Sequence, residues 1–544
     1  MAIPNYLIIN ILDPILNHSK DIEYVYMFLR KYTLISKEWN QSIIVKLQYR
    51  HVNNLKRPRT VELSKTVKLL PDFISLANKY KWYNYRFISP RHSTEHYKHL
   101  YEIIRDQFSQ IEINNEQSKT LDQSISHFKN LESIVVETSF SDSEEILINQ
   151  LKSLSNIDIH IESLNSDFAK SIIEFNRIGE LIQNRRVISL HFRDFAFIGE
   201  NDNPFQPNSL TKISLDKITM SQWMLKSLLD NSLNCQNLEI EDIVLNEDKN
   251  HYDKFFEILK HASQSMNLKR LRVVSTNITT SHQAAVDFLS NIKTGTLILV
   301  YMEWNNEAFS DNITNQWIHS LELFTKMDDR ILELWKHKDN IKSIFAPIGA
   351  SKNTVKEFKN LRYLRLPDLT SSMGIYDLSV HKNLHTIDYS ELDIDVLNQL
   401  LSIPHTNIRR CIIHHLHHNE NSIENDLSLF ITSLSHNTTL TRLFIKDFLY
   451  SRNINYNHCE LYIKILTINK TLHTFILPPS RSDTFKFTTD MVKEFNELFK
   501  INSTIQQMNC FNLSSESSLI QIKLDLLDVF TKYNVTINSS IYDM

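Results

Sequence analysis

Glycine is nearly missing from this chain. Its 544 residues contain 5 glycines, at Gly179, Gly199, Gly295, Gly349 and Gly374, and no two are closer than twenty residues. A phosphate-cradling loop or a dinucleotide turn needs glycines about two to five apart. A nucleophile elbow needs Gly-x-Ser-x-Gly. Those enzyme classes are excluded. Cysteine is scarce too: 4 residues make no disulfide framework. Cys411 and Cys510 fall on predicted strand positions and are expected to be buried free thiols in a reducing compartment. No run of about eighteen apolar residues exists, so no spanning helix is expected. Met1 to Leu16 is apolar but lacks a basic lead and carries Asn10 and Asp13, so it does not read as a signal peptide. Charge of one sign is also missing. The net charge is −4, which gives no bulk attraction to nucleic acid or membrane.

What is present is repetition. Asn437-Thr438-Thr439-Leu440-Thr441-Arg442-Leu443-Phe444-Ile445 has the form apolar-x-x-apolar-x-apolar. Asn469-Lys470-Thr471-Leu472 and Asn502-Ser503-Thr504-Ile505 open two further copies, and Leu361 and Leu384 open earlier ones. The last three core positions alternate, the period of a half-buried strand. Taking the first core residue of each copy gives a ladder: Leu131, Leu154, Val187, Leu210, Leu238, Leu268, Thr294, Ile318, Ile341, Leu361, Leu384, Ile408, Leu440, Leu472 and Ile505. The steps run from 20 to 33 residues, a solenoid period. Segments between the strands read as helices: Tyr252 to Leu259 is apolar at i, i+3, i+4 and i+7. One such unit cannot bury its faces alone, so the units must stack. The Asn-x-Ser/Thr triplets at Asn437, Asn469 and Asn502 read as turn residues after each helix.

The ladder resembles a leucine-rich-repeat array of the long type, with a helix on the outer face, over about residues 128–540. The resemblance implies an α/β solenoid, a horseshoe of strand–helix repeats. One position departs. The family usually has Asn or Cys nine positions into the motif. Here Leu369, Leu392, Leu416, Phe448 and Leu513 stand there, and only Asn246 fits.

Residues 3–43 form a separate stretch that reads as three short helices. Pro4 suits a first helical turn, and Leu7, Ile8, Ile11, Leu12 and Ile15 follow at helical spacing. Val25, Phe28, Leu29 and Tyr32 share a second face. Leu34-Ile35-Ser36-Lys37-Glu38-Trp39 and Ile43 close the stretch. So small a helical unit makes a poor core alone, which makes a partner plausible. The pattern resembles an F-box, down to the Ser-Lys-x-Trp spacing, with Ile3 and Tyr6 departing from the usual Leu and Glu. The alternative is a helical cap on the first repeat. The domain scheme is then a helical F-box-like unit (1–50), a basic helical linker (51–127) and the repeat solenoid with a C-terminal cap (128–544).

From Lys46 to Arg105, a stretch that runs into the linker, the chain holds thirteen Lys/Arg against four Asp/Glu. Within it, Lys79 to Phe87 interleaves basic and aromatic residues, the composition of a single-strand stacking surface. The plainer reading packs the aromatics and leaves the lysines wet. His96 to Phe108 and Leu121 to Phe128 read as helices.

His414-His415-Leu416-His417-His418 is the obvious metal candidate. It follows a strand, where neighbours point to opposite faces, so the ligands do not converge and no metal is expected. The x positions of the motif should leave the core and form an open face. They carry Arg362, Tyr363, Arg365, Arg409, Arg410 and Arg442, side chains that suit carboxylate or phosphate. His385 and Asp388 fall among them and either pair with the arginines or interrupt them.

An F-box followed by such repeats resembles the substrate receptors of cullin-type ubiquitin ligases. The resemblance implies a Skp-type adaptor and cullin reached through Pro4, Leu7, Ile11, Leu12, Ile15, Leu34, Ile35, Lys37, Trp39 and Ile43. It implies a protein substrate, acidic or phosphorylated, on the repeats. It implies no catalytic residues, no cofactor, no membrane or nucleic-acid partner, and a cytoplasmic or nuclear location. The rival reading is a non-ligase repeat scaffold for protein–protein interaction.

Overall fold

The computed structural model describes residues 171–199, 205–246, 253–275, 279–300, 311–324, 330–345, 352–369, 378–402, 407–417, 423–448, 458–477 and 488–509, with shorter pieces elsewhere. Of the F-box-like stretch, only Ile43 is described, and it is buried within the chain; Pro4 to Trp39 lie outside the described residues. So do Lys79 to Tyr85, the helix expected at 121–128, His418, Cys510 and Leu513, and all of the helix expected at 96–108 except Phe108, which opens a strand instead. The chain divides into two compact units, residues 1–249 with 265–268, and residues 250–264 with 269–544. The division falls inside the stretch expected to be one array.

In the first unit the main sheet is parallel throughout. Its strands are β1 (Val52–Asn54), β2 (Arg86–Ile88), β3 (Phe108–Ile113), β4 (Ser133–Glu137), β5 (Asp158–Leu164), β7 (Val187–Arg193), β9 (Lys212–Asp216) and β11 (Asn237–Glu241). Each pairs with the next in that order. The first three correct the sequence reading: residues 51–127 are not only a helical linker, because three of their segments are rungs of the sheet. A smaller parallel sheet is made by β6 (Ser171–Glu174), β8 (Phe195–Ile198), β10 (Thr219–Met220) and β12 (Val244–Leu245). Helices α1 (Phe175–Ile182) and α2 (Gln222–Asp230) fill return segments. Ser221 caps α2 by accepting from the Met224 amide, satisfying one of the donors a helix start leaves open.

Strand register corrects two rungs of the predicted ladder. Leu190 and Leu238 both pair with Ile213. Leu238 is therefore the second core residue of its repeat, and buried Cys235 is the first. Likewise Ile159 pairs with Ile134, so Leu154 lies two positions early. At Leu238 the true triplet is Cys235, Leu238 and Ile240, and the expected frame put Glu241 at its second core position; at Leu154 an apolar triplet, Leu154, Ile157 and Ile159, overlaps the true frame, whose first position is Asn156. The shift also removes the lone family match. Counted from Cys235, the ninth position is Ile243 rather than the exposed Asn246. Phe195, Ile218, Ile243, Leu392 and Leu416 all occupy that position and are at most 1% exposed. The position is apolar core in these repeats, so no side chain there bonds loop backbone.

Just before it, at the eighth position, a left-handed residue follows each of β7, β9 and β11: Asp194 (φ 63), Lys217 (φ 53) and Asp242 (φ 47). Left-handed backbone favours glycine, and Asp tolerates it better than most residues. The amides continue the ladder, Asp194 to Asp216 O at 2.9 Å and Lys217 to Glu241 O at 2.7 Å. Three repeats thus turn without glycine.

The second unit carries β13 (Arg270–Val274), β15 (Thr296–Val300), β17 (Ser320–Phe324), β18 (Ser343–Phe345), β19 (Tyr363–Leu369), β20 (Thr386–Asp393), β21 (Arg410–His417), β22 (Arg442–Phe448), β23 (Thr474–Ile476), β24 (Gln507–Asn509) and β25 (Thr536–Ile537). They pair in parallel in that order. A separate parallel pair joins β14 (Thr279–Thr280) to β16 (Glu303–Trp304). From Leu297 to Met508 the second core positions are register partners, and Leu321, Ile344, Leu364, Ile387, Cys411, Leu443 and Phe475 between them are all 0% exposed. The predicted rungs from Thr294 to Ile505 hold their spacing. Behind them lie α3 (Asp253–Ser265), α4 (His282–Asn291), α5 (Arg330–Leu334), α6 (Lys352–Lys356), α7 (Ile394–Ser402), α8 (Ile423–His436), α9 (His458–Ile468) and α10 (Thr489–Ile501). Their apolar stripes are buried, as in α7, where Val396, Leu397, Leu400 and Leu401 face inward.

Asparagine ties these repeats together. Asn469 donates to Leu434 O (2.7 Å) and Asn437 O (2.9 Å), and accepts from the Thr471 and Leu472 amides. Asn502 does the same one repeat later, and Asn315 earlier in the unit. Each is 1–2% exposed. The side chain closes its own turn and caps the last carbonyls of the preceding helix, which otherwise lack partners. At His381 a buried imidazole replaces it, with Nδ1 3.1 Å from Phe358 O.

Candidate functional site

Alternation sends the apolar positions of β19 to β22 toward the helices and the x positions to the other face. On that face two rows run across the strands. The first is Tyr363, Thr386, Arg410 and Arg442. The second is Arg365, Asp388, Ile412 and Phe444. Arg362 and Arg409 stand one residue before the first row, at the strand entry, and are exposed.

Asp388 is the hub. It is 5% exposed. Tyr363 donates its hydroxyl to Oδ2 at 2.6 Å. His414 Nε2 lies 3.1 Å from Oδ1, and Arg365 Nε lies 3.7 Å from the same oxygen. Burial pushes the Asp388 carboxyl up, but hydrogen bonding from His414 and Tyr363 and the charge of Arg365 outweigh it and hold the group below its ordinary value. Burial, helped by the same carboxylate, raises the Tyr363 phenol, so it stays protonated. Burial also raises Glu322 on β17, against the pull of Arg270 and Arg365.

The six side chains singled out in the sequence therefore do not form one site. Tyr363 and Arg365 are committed to Asp388, and Arg365 also lies over the Phe345 ring at 4.9 Å. Arg410 and Arg442 are direct neighbours on adjacent strands. With Arg409, they make no salt bridge among the described residues. Arg410 lies over the Phe444 ring at 5.0 Å, and its buried Nε has no hydrogen-bond partner. Unpaired guanidinium groups this close repel each other and gain from an anion between them. The sequence reading missed the ring floors, Phe345 and Phe444. Both stand at the fifth motif position, which Arg365 and Asp388 hold in their own copies, so superposing the copies would have found them.

The histidine run does not converge. His414 faces Asp388, and His417 Nε2 lies 3.0 Å from Glu391. Among the described residues no group of three His, Cys, Asp or Glu is placed to hold a metal. Burial lifts the Cys235 and Cys411 thiols to about 12, too high for a nucleophile near neutral pH. Among the described residues no helix is long and apolar enough to cross a membrane.

In each unit, a stack of strand–helix repeats whose strands pair in parallel defines the class: a leucine-rich-repeat-like solenoid. No family model matches the chain, and no curated protein matches it. Among solved structures it is similar to the complex of Rad7 and Elc1 from yeast, at 12% identity, over 83% of this chain and 90% of that one, with a TM-score of 0.30. It is similar also to a leucine-rich-repeat protein of Leptospira interrogans, at 12% identity, over 83% of this chain and 99% of that one, with a TM-score of 0.33. Likenesses this distant carry no argument about function; the repeat architecture rests on strand register.

Proposed function

We propose that this chain is a binding protein without catalytic residues, the substrate-recognition subunit of a cullin-type ubiquitin ligase. Its N-terminal helices take a Skp-type adaptor, and its repeats take an anionic segment of a protein substrate. Its mechanism is proximity. The observation that carries the substrate half is the group Arg409, Arg410 and Arg442, three cations from adjacent strands with no carboxylate partner among the described residues. The adaptor half is supported by the motif from Pro4 to Ile43 alone. Its setting is cytoplasmic or nuclear.

The test is affinity purification of the full chain and of a chain lacking residues 1–50. Adaptor and cullin should appear with the first and vanish with the second. Leu7→Asp with Trp39→Ala should abolish adaptor capture while the repeats keep their fold. Adaptor capture that survives both changes refutes the assignment. A fold lost with them makes the segment a cap, and the chain a non-ligase repeat scaffold.

A further inference from the structure

We propose that the strand-entry edge of β18 to β22 is a docking strip for an extended, multiply anionic protein segment, crossing the strands rather than following one. The inference rests on the binding-protein reading above and gives its substrate a chemistry and a path.

The strip is made by the second motif position. The Arg362 amide donates to Lys342 O (2.7 Å), His385 to Arg362 O (3.1 Å), Arg409 to His385 O (3.0 Å) and Thr441 to Arg409 O (2.8 Å). These five residues are therefore stacked one strand apart without a break. At about 4.8 Å per strand the row spans about 19 Å. Lys359 and Lys382 flank it on the turn side, and Arg410 and Arg442 on the strand side. Take, in each of the five copies, the stretch from two residues before the first core position to two after it. Together these stretches hold seven Lys/Arg and one carboxylate, Asp339, at the β18 end. None of the seven makes a salt bridge among the described residues, and all but Arg410 are exposed. In a chain of net charge −4, the repeat has sorted its cations onto one edge.

The occupant follows from the shape of this charge. Seven cations spread along a line do not converge on one small phosphate. They match an extended chain, about six residues long at roughly 3.3 Å per residue, with carboxylate or phosphate groups along it. A single-stranded nucleic acid would need aromatic platforms for its bases. The aromatic ring within the strip, Tyr363, is half-buried and tied to Asp388.

Three fluorescent probes test this on the purified full chain: a short Asp/Glu-rich peptide, the same peptide with phosphoserines replacing some acids, and a single-stranded oligonucleotide of similar length. The acidic peptides should bind, and added salt should weaken them. Whichever of the two binds more tightly identifies carboxylate or phosphate as the anion. Arg362→Glu with Arg409→Glu should weaken peptide binding by at least about tenfold, and Arg362→Gln with Arg409→Gln by less. The control Lys464→Glu with Lys493→Glu makes the same charge change on α9 and α10 and should leave binding unaltered. Failure of both peptides to bind, equal loss in the control, or tighter binding of the oligonucleotide overturns the strip. Adaptor capture is read separately on the same chain. Peptide binding without capture keeps the strip and sinks the ligase reading; capture without peptide binding does the reverse.

Discussion

Replacing Asn469 with alanine should loosen the last repeats of the second unit. The side chain is 2% exposed and makes four hydrogen bonds to backbone, at 2.7, 2.9, 2.9 and 3.0 Å. Each is worth about 1 kcal/mol net, and a buried group left unpaired costs about 1–3 kcal/mol. The carbonyls fare better than the amides: Leu434 O keeps the Asn437 amide, and Asn437 O keeps the Thr471 hydroxyl. The Thr471 and Leu472 amides lose their acceptor. The expected cost is about 3 kcal/mol. Asn469→Asp keeps the acceptor but turns a charged oxygen toward the Leu434 and Asn437 carbonyls in a buried site, so it should cost at least as much as the alanine. Hydrogen exchange reads this locally, which suits a repeat stack whose units open separately. Protection over residues 469–477 should fall by about two orders of magnitude. Asn383→Ala, which removes one exposed 3.4 Å bond, should change protection little. If Asn469→Ala costs under about 1 kcal/mol, or no more than Asn383→Ala, the asparagines are turn formers without a role between repeats.

Asp388→Asn should destabilise the second unit by about 1–2 kcal/mol at neutral pH. Its carboxyl is held low in the fold, so its contribution is present above the unfolded value of about 3.9 and lost as pH falls below it; the variant's acid-unfolding curve should be flatter there. Lys217→Gly relieves a left-handed residue and should raise stability by up to about 1 kcal/mol, while Lys217→Val should lower it; urea unfolding measures both. Cys235, Cys411 and Cys459 are buried and should resist a thiol reagent in the native chain and react in urea. A chelator should leave the melting temperature unchanged, and stoichiometric zinc lost on changing His415 and His417 would contradict that.

Much of the second unit was legible because its copies are strict. Apart from the copy that opens with Thr294, each has an apolar triplet and an Asn or short polar turn before it, so one register fits. At Leu238 the expected frame placed Glu241 at the second core position, and pairing with Ile213 selects the frame that opens at Cys235. The strand at 108–113 carries the motif as Phe108, Ile111 and Ile113 and was legible, but the stretch before it was read as a helix. The strands at 52–54 and 86–88 were missed because they are three residues long and pairing rather than pattern defines them. The small sheet escaped for the same reason: its strands run two to four residues. The arginine row was visible, but which arginines are free was not. Arg365 is neutralised by Asp388 from the following copy, a pairing that depends on which residues face each other across strands.

The asparagine contacts also set an order of completion. The Leu434 carbonyl receives its side-chain cap from a residue 35 positions later, and Leu466 from one 36 positions later. A chain growing from its N-terminus therefore holds each helix end open until most of the next repeat has been made. Folding on the ribosome would run about one repeat behind synthesis. A message cut short after Ile468 would leave α9 with its final carbonyls open to water, whatever the quality of the repeats before it.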